Sequence, residues 1–147
     1  METAMSDDLQ RVRVEYLGEH RFRASNQAGF ALNTDGGDPA KDLKPMEILL
    51  AALGGCTGID VVDIMRKKRT PLARYRIEIE GVRALDHPRR FLTITVRHVG
   101  SGPDVTEAAF QHAVGLSHER YCSVSASLSA NVHAEIRLES WSGASGA

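Results

Sequence analysis

Apolar and polar residues alternate in the first stretch of the chain. From Leu9 to Leu17, Val12, Val14 and Tyr16 take turns with Arg11, Arg13 and Glu15, the period-two pattern of a half-buried strand. Gly18-Glu19-His20 makes a turn, and Arg21 to Ala24 and Gly29 to Asn33 are two further short strands around Ser25-Asn26-Gln27. Asp35-Gly36-Gly37-Asp38-Pro39 is a loop by composition. The period then changes. Pro45 suits the first turn of a helix, where its missing N–H costs nothing. The segment runs to Arg69, with Arg66-Lys67-Lys68-Arg69 on its negative C-terminal end and Pro71 as the stop. About 25 residues of helix span about 37 Å. Ile48 to Leu53 is apolar all round, which predicts an enclosed helix. One small domain has trouble surrounding it, so a dimer partner is expected to supply part of the cover.

Alternation returns at Arg74 to Leu85 and at Phe91 to Val99. The link Asp86-His87-Pro88-Arg89 makes these an antiparallel hairpin. A second helix is expected from Pro103 to Glu119, capped by Ser101 or Gly102, with Val105, Ala109, Ala113 and Leu116 inward. Ser123 to Leu128 has room for one or two helical turns, and Asn131 to Leu138 is a last strand. The order β-β-β-α-β-β-α-(α)-β is that of an α+β domain. It is expected over residues 9–140, between disordered tails at 1–8 and 141–147.

Composition narrows the function classes. The chain has 147 residues, 42% hydrophobic and 25% charged, which suits one globular domain. Eighteen Lys+Arg nearly balance 19 Asp+Glu for a net charge of −1, so no global field draws it to nucleic acid or an anionic membrane. The longest unbroken apolar run, Ile48 to Leu53, is far below the roughly 20 residues of a membrane span. The acidic first residues lack the layout of a secretory signal. These features read as a cytoplasmic protein.

In a reducing cytosol Cys56 and Cys122 are either buried thiols or a redox couple. Cys56 lies in Gly54-Gly55-Cys56-Thr57-Gly58, where three helical glycines cost roughly 1 kcal/mol each relative to alanine. Close approach by another element or by a substrate is the compensation to look for. Cys122 precedes Ser123-Val124-Ser125, so its sulfur falls at a helix N-terminus, a setting expected to depress a thiol pKa. A peroxide-reducing pair needs an ionised sulfur beside a cation, with a carboxylate to hold that cation. Glu47, in the first helical turn, is the candidate carboxylate. Arg21 and Arg23, from the N-terminal strands, are the candidate cations. Asp60, one turn after Cys56, would raise the thiol pKa if unpaired, so it is expected to face away or to be paired. His118, four residues before Cys122, is placed to give a proton or share a metal, although no HExxH or CxxC spacing accompanies it.

Lys44-Pro45-Met46-Glu47-Ile48-Leu49-Leu50-Ala51-Ala52-Leu53-Gly54-Gly55-Cys56 resembles the proline–glutamate–leucine helix start of the OsmC/Ohr family, and Tyr121-Cys122-Ser123-Val124-Ser125 is similar to the segment around that family's second cysteine. The element order agrees from about Arg11 to Leu138. The resemblance implies an intertwined, obligate homodimer in which antiparallel sheets wrap long central helices, with active sites at the subunit interface. It implies a peroxidatic Cys56 and a resolving Cys122 that reduce organic hydroperoxides. A dithiol, with dihydrolipoyl groups the natural candidate, would reopen the disulfide, and no metal or organic cofactor is expected. In the best-understood members the activating glutamate directly follows the proline. Here Met46 holds that position and Glu47 comes one residue later, a turn of about 100° around the helix. The pattern is closer to the family's poorly characterised branch. From a different class, a dimeric small-ligand-binding or redox-sensing protein without turnover accounts for the same pattern.

Overall fold

The computed structural model describes residues 8–143; of the tails expected at 1–8 and 141–147, residues 1–7 and 144–147 lie outside the described residues. The chain forms two compact units, one up to Leu49 and one from Leu50 onward.

In the first unit, β1 (Val12–Gly18), β2 (Arg21–Asn26) and β3 (Ala31–Asp35) form an antiparallel meander in the order β1-β2-β3. The turn into β2 uses left-handed backbone at Gly18 (φ 112°) and Glu19 (φ 54°), a geometry that glycine adopts without strain. Tyr16 and Phe22 are paired across the strands with ring centroids 5.4 Å apart. Both are exposed, as are Val12, Val14 and Leu32, so the alternating pattern marks the strands while these apolar side chains stay exposed among the described residues. After β3, the buried Asp35 carboxylate accepts the backbone N–H groups of Gly37 (2.8 Å) and Lys41 (2.9 Å) and shapes the glycine-rich loop. Those bonds hold its carboxyl below the usual carboxylate range.

Helix α1 (Pro45–Lys67) starts where Pro45 predicts and ends two residues before Arg69. Glu47 accepts the Lys44 N–H at 2.8 Å while the Lys44 carbonyl receives the Ile48 N–H, so Glu47 closes the first turn as half of a capping box. At 23 residues α1 is long and apolar enough to cross a membrane by length and composition, which corrects the expectation drawn from unbroken apolar runs alone. Polar positions such as Thr57 and Asp60 interrupt the runs without lowering the average enough. Leu53, Gly54, Thr57, Gly58, Val61 and Met65 are nevertheless buried, as in a core helix.

The second unit packs the body of α1 with a three-stranded sheet in the order β4-β5-β6, comprising β4 (Arg74–Arg83), β5 (Phe91–Ser101) and β6 (Asn131–Leu138). The β4–β5 hairpin is antiparallel as expected. β6 runs parallel to β5, which corrects the reading of uniformly antiparallel sheets. The reason is the long crossover between them, through α2 (Glu107–Leu116), a π-helical turn (Ser117–Tyr121) and α3 (Ser123–Ala126), which brings the chain back to start again at the same end. Val61 and Met65 of α1 and Phe110, Ala113 and Val114 of α2 form the core cluster. Thr106, rather than Ser101 or Gly102, caps α2 by accepting the Ala109 N–H. Two of the three glycines of α1, Gly54 and Gly58, are explained by close approach of β4. A Cβ on Gly54 would meet Ile79 at 2.6 Å, and one on Gly58 would meet Ile77 at 2.9 Å, whereas Gly55 faces open space.

Candidate active site

Cys56 and Cys122 meet within the second unit. Both are free thiols, and the Cys56 side chain lies within hydrogen-bonding reach of Cys122. Two features bring them together. Gly54 and Gly58 seat α1 against β4 and so fix the height of Cys56. The π-helical turn then carries the chain round so that the Cys122 N–H bonds the Ser117 carbonyl at 2.8 Å, and Cys122 becomes the N-cap of α3. An i to i+5 turn of this kind is uncommon and is frequently found at functional sites.

Cys122 does occupy the helix start that its sequence context indicates, and its Sγ accepts the Ser125 N–H at 3.4 Å. The expected depression of its pKa is overturned. Burial penalises the thiolate more than that single N–H stabilises it, and the neighbouring Cys56 and the Asp60 carboxylate oppose the charge as well. Together they push the Cys122 thiol up to about 11.

Asp60 is paired, as expected, but it does not turn away. Its Oδ2 accepts the Ser117 hydroxyl at 2.8 Å. Ser117 Oγ also stands 2.7 Å from the Thr57 hydroxyl, and Thr57 and Ser117 are both fully buried. This network ties the π turn to α1 next to both sulfurs. Behind it lies a chain of aromatic polar groups. The Tyr75 hydroxyl is 2.6 Å from His98 Nδ1, and His98 Nε2 is 2.9 Å from His118 Nε2. His98 is fully buried, and burial pushes its pKa down to about 3. Burial also lowers His118, against the opposing pull of Asp60.

The other two predicted site residues lie in the first unit, and each has its own partner there. Arg21 Nη2 is 3.5 Å from Asp42 Oδ2, and Glu47 is engaged by the Lys44 N–H, so the structure does not join Arg21 to Glu47 as an ion pair. The buried Nε of Arg21 has no hydrogen-bond partner. Thr57, Ser117, Tyr75 and His98 were not picked out by the sequence. One signal was available for His98, which falls on the same face of β5 as Ile94 and Val96, making it a polar residue in a buried row. No group of three or more His, Cys, Asp or Glu among the described residues is placed to hold a metal ion.

These observations define an α+β protein that holds two free thiols against each other beside a carboxylate. Residues 36–137 match the family model described as OsmC-like protein. Protein YhfA of Escherichia coli K12 is 35% identical over 114 residues, covering 78% of this chain and 85% of that one. The crystal structure of a hypothetical protein from Aquifex aeolicus VF5 superposes with a TM-score of 0.82 at 32% identity, over 91% of this chain and 98% of that one. The organic hydroperoxide resistance protein OhrB of Bacillus subtilis shares the fold, with a TM-score of 0.60 at 19% identity, over 88% and 98% of the two chains. The chain belongs to the OsmC-like family.

Proposed function

We propose that the protein reduces organic hydroperoxides with its two cysteines. The Cys56 thiolate attacks the peroxide O–O bond and takes one oxygen as a sulfenic acid, while the departing alkoxide takes up a proton and leaves as an alcohol. Cys122 sulfur then displaces that oxygen as water and closes the disulfide. A dithiol, for which dihydrolipoyl groups are the candidate, returns both thiols by exchange. The observation that carries this reading is the direct approach of the two free thiols. The name of the Bacillus subtilis relative supports the substrate class. Arg21 remains the candidate cation, since its Nε–H is without a hydrogen-bond partner, and Glu47 contributes at the helix start.

The reading includes an obligate homodimer in the cytoplasm, with no nucleic-acid or membrane partner. A groove of about 580 Å³ between α1 and β4, lined by Ala51, Gly55, Ile59 and Ile77 among others, is apolar and open, and Ile59 is 65% exposed. A second chain covering it supplies the enclosure that the apolar first half of α1 needs.

The test is direct. Reduced protein mixed with cumene hydroperoxide should lose two free thiols per chain and become two hydrogens lighter without cross-linking. Cys56→Ser should abolish peroxide consumption; equal slow rates in the variant and the parent would remove the enzyme reading. A second reading, a redox sensor or ligand-binding protein without turnover, is favoured by the raised Cys122 thiol. A single stoichiometric oxidation of the two thiols, with no continued peroxide consumption in excess dithiol, identifies it.

A further inference from the structure

Ser117 is a polar residue in an apolar row. It continues the buried face of α2 after Phe110, Ala113 and Val114, and both Ser117 and Thr57 of α1 are fully buried. Ala113 fills the same row one turn earlier, so packing alone does not call for a hydroxyl at this place. The partners of that hydroxyl do. Ser117 Oγ lies 2.8 Å from Asp60 Oδ2, 2.7 Å from the Thr57 hydroxyl and 3.4 Å from the Thr57 carbonyl oxygen. A hydroxyl has one hydrogen to give, and a carboxylate oxygen only accepts. The Ser117 O–H therefore goes to Asp60, and the Thr57 O–H goes to Ser117. The three side chains satisfy one another in a single order of donors, and removing one leaves a buried hydroxyl short of a partner.

These contacts close a ring around the sulfurs. Thr57 follows Cys56 directly and Asp60 lies one helical turn beyond it, so both anchors belong to the stretch of α1 that carries Cys56. On the other side, the Ser117 carbonyl accepts the Cys122 N–H at 2.8 Å, the bond that makes the turn π-helical. The Ser117 N–H points back to the carbonyls of Ala113 and Val114. Ser117 is thus gripped by α1 through its side chain and by α2 through its N–H, while its carbonyl fixes where Cys122 begins α3. The i to i+5 turn is uncommon because the ordinary i to i+4 bond competes with it, here from the His118 carbonyl. The hydroxyl bonds reach anchors 57 and 60 residues away, so the register of the turn is set from α1.

We propose that Ser117 is a positioning residue for the thiol pair, holding the π turn in the register that keeps Cys122 against Cys56. The inference rests on the two-thiol reading above and concerns its closing step alone. Ser117 acts through the backbone of Cys122. By confining that residue it raises the effective concentration at which the second sulfur meets the first.

Glutathione reads this effective concentration without any peroxide. Oxidised glutathione takes two electrons and two protons from the thiol pair, which leaves the Cys56–Cys122 disulfide and two molecules of reduced glutathione. Full-length protein is equilibrated at pH 7 over a range of glutathione ratios, trapped with acid and alkylated, and the bridged fraction is read by mass. Ser117→Ala is expected to lower the equilibrium constant about tenfold, the worth of one hydrogen bond to a charged group. That is a shift of about 30 mV toward easier reduction. Asp60→Ala is expected to fall as far, and it carries the test if Ser117→Ala does not fold. Asp60→Asn removes the charge but keeps an acceptor oxygen, so it should retain the parent's constant. Thr106→Ala, which uncaps α2 at its far end, should lose stability and keep that constant as well. Parent-like constants in folded Ser117→Ala and Asp60→Ala would overturn the positioning role, as would a parent that glutathione cannot bridge. An Asp60→Asn value as low as that of Asp60→Ala would assign the effect to charge, and an equal fall in Thr106→Ala would assign it to general loosening; either also overturns it. A lowered constant in Ser117→Ala, with no consumption of cumene hydroperoxide by the parent, would sink the peroxidase reading alone and leave Ser117 in its role.

Discussion

Acidification from pH 7.5 to pH 5 is expected to destabilise the protein through His98. The side chain is fully buried in the middle of β5, and burial holds its pKa at about 3 against an ordinary 6.5. Below pH 6.5 the unfolded chain binds a proton at this position that the folded chain refuses, so stability falls as pH falls. Full neutral-pH stability holds above 6.5, and the loss continues down to the folded value near 3. At pH 5 the gap of about 1.5 pH units corresponds to about 2 kcal/mol, at about 1.4 kcal/mol per unit. For a chain of this size that lowers the thermal midpoint by roughly 4–8 °C. His118 shifts in the same direction and adds to the loss. The carboxyls of Asp35 and Glu78, held below their usual range, lose their contribution only at lower pH, so the window from 6.5 to 5 belongs to histidine. Urea melts by circular dichroism at pH 7.5, 6.5, 5.5 and 5 measure the slope, and His98→Gln, which cannot titrate, should flatten it. Equal stability at pH 7.5 and pH 5 in the parent would refute the buried neutral histidine.

Other consequences are more local. Glu47→Ala should lower stability by about 1 kcal/mol through loss of the Lys44 N–H partner, whereas Glu47→Gln should retain it; chemical denaturation compares the two. Thr106→Ala should cost about 1 kcal/mol by leaving the Ala109 N–H without its cap, measured the same way. Gly54→Ala should be destabilising by about 1 kcal/mol despite alanine's helix propensity, because Ile79 has to move aside. A Cβ on Gly55 meets nothing within 4 Å in its own chain, so Gly55→Ala should leave the fold intact and should not lower stability, compared by the same denaturation.

Much of this architecture is legible from local pattern. Period-two alternation marks β1, β4, β5 and β6, turn-rich residues mark β2 and β3, and Pro45 marks the helix start to the residue. The direction of β6 is not legible that way. Val132, Ala134 and Ile136 alternate identically in a parallel or an antiparallel neighbour, and only the crossover decides. The π turn is hidden for a related reason. Leu116 continues the helical period of α2, yet Phe110, Ala113, Val114 and Ser117 turn out to be the fully buried positions, because Ser117 is drawn in by Thr57 and Asp60 from a distant part of the chain. The two cysteines are visible as a pair through their neighbours. What the sequence misjudged was the balance at Cys122, where one backbone N–H suggests an ionised sulfur and only the packed structure reveals how much burial opposes it.

The five-residue turn from Ser117 to Tyr121 also constrains how this gene can vary. Deleting a single residue there would let the segment relax into a regular α-helix and swing Cys122 by about 100° about the axis, out of register with Cys56. A deletion of the same size in the exposed Asp86–Arg89 hairpin loop changes only a surface bend. Length variation among descendants of this chain should therefore be absent from the first segment and common in the second.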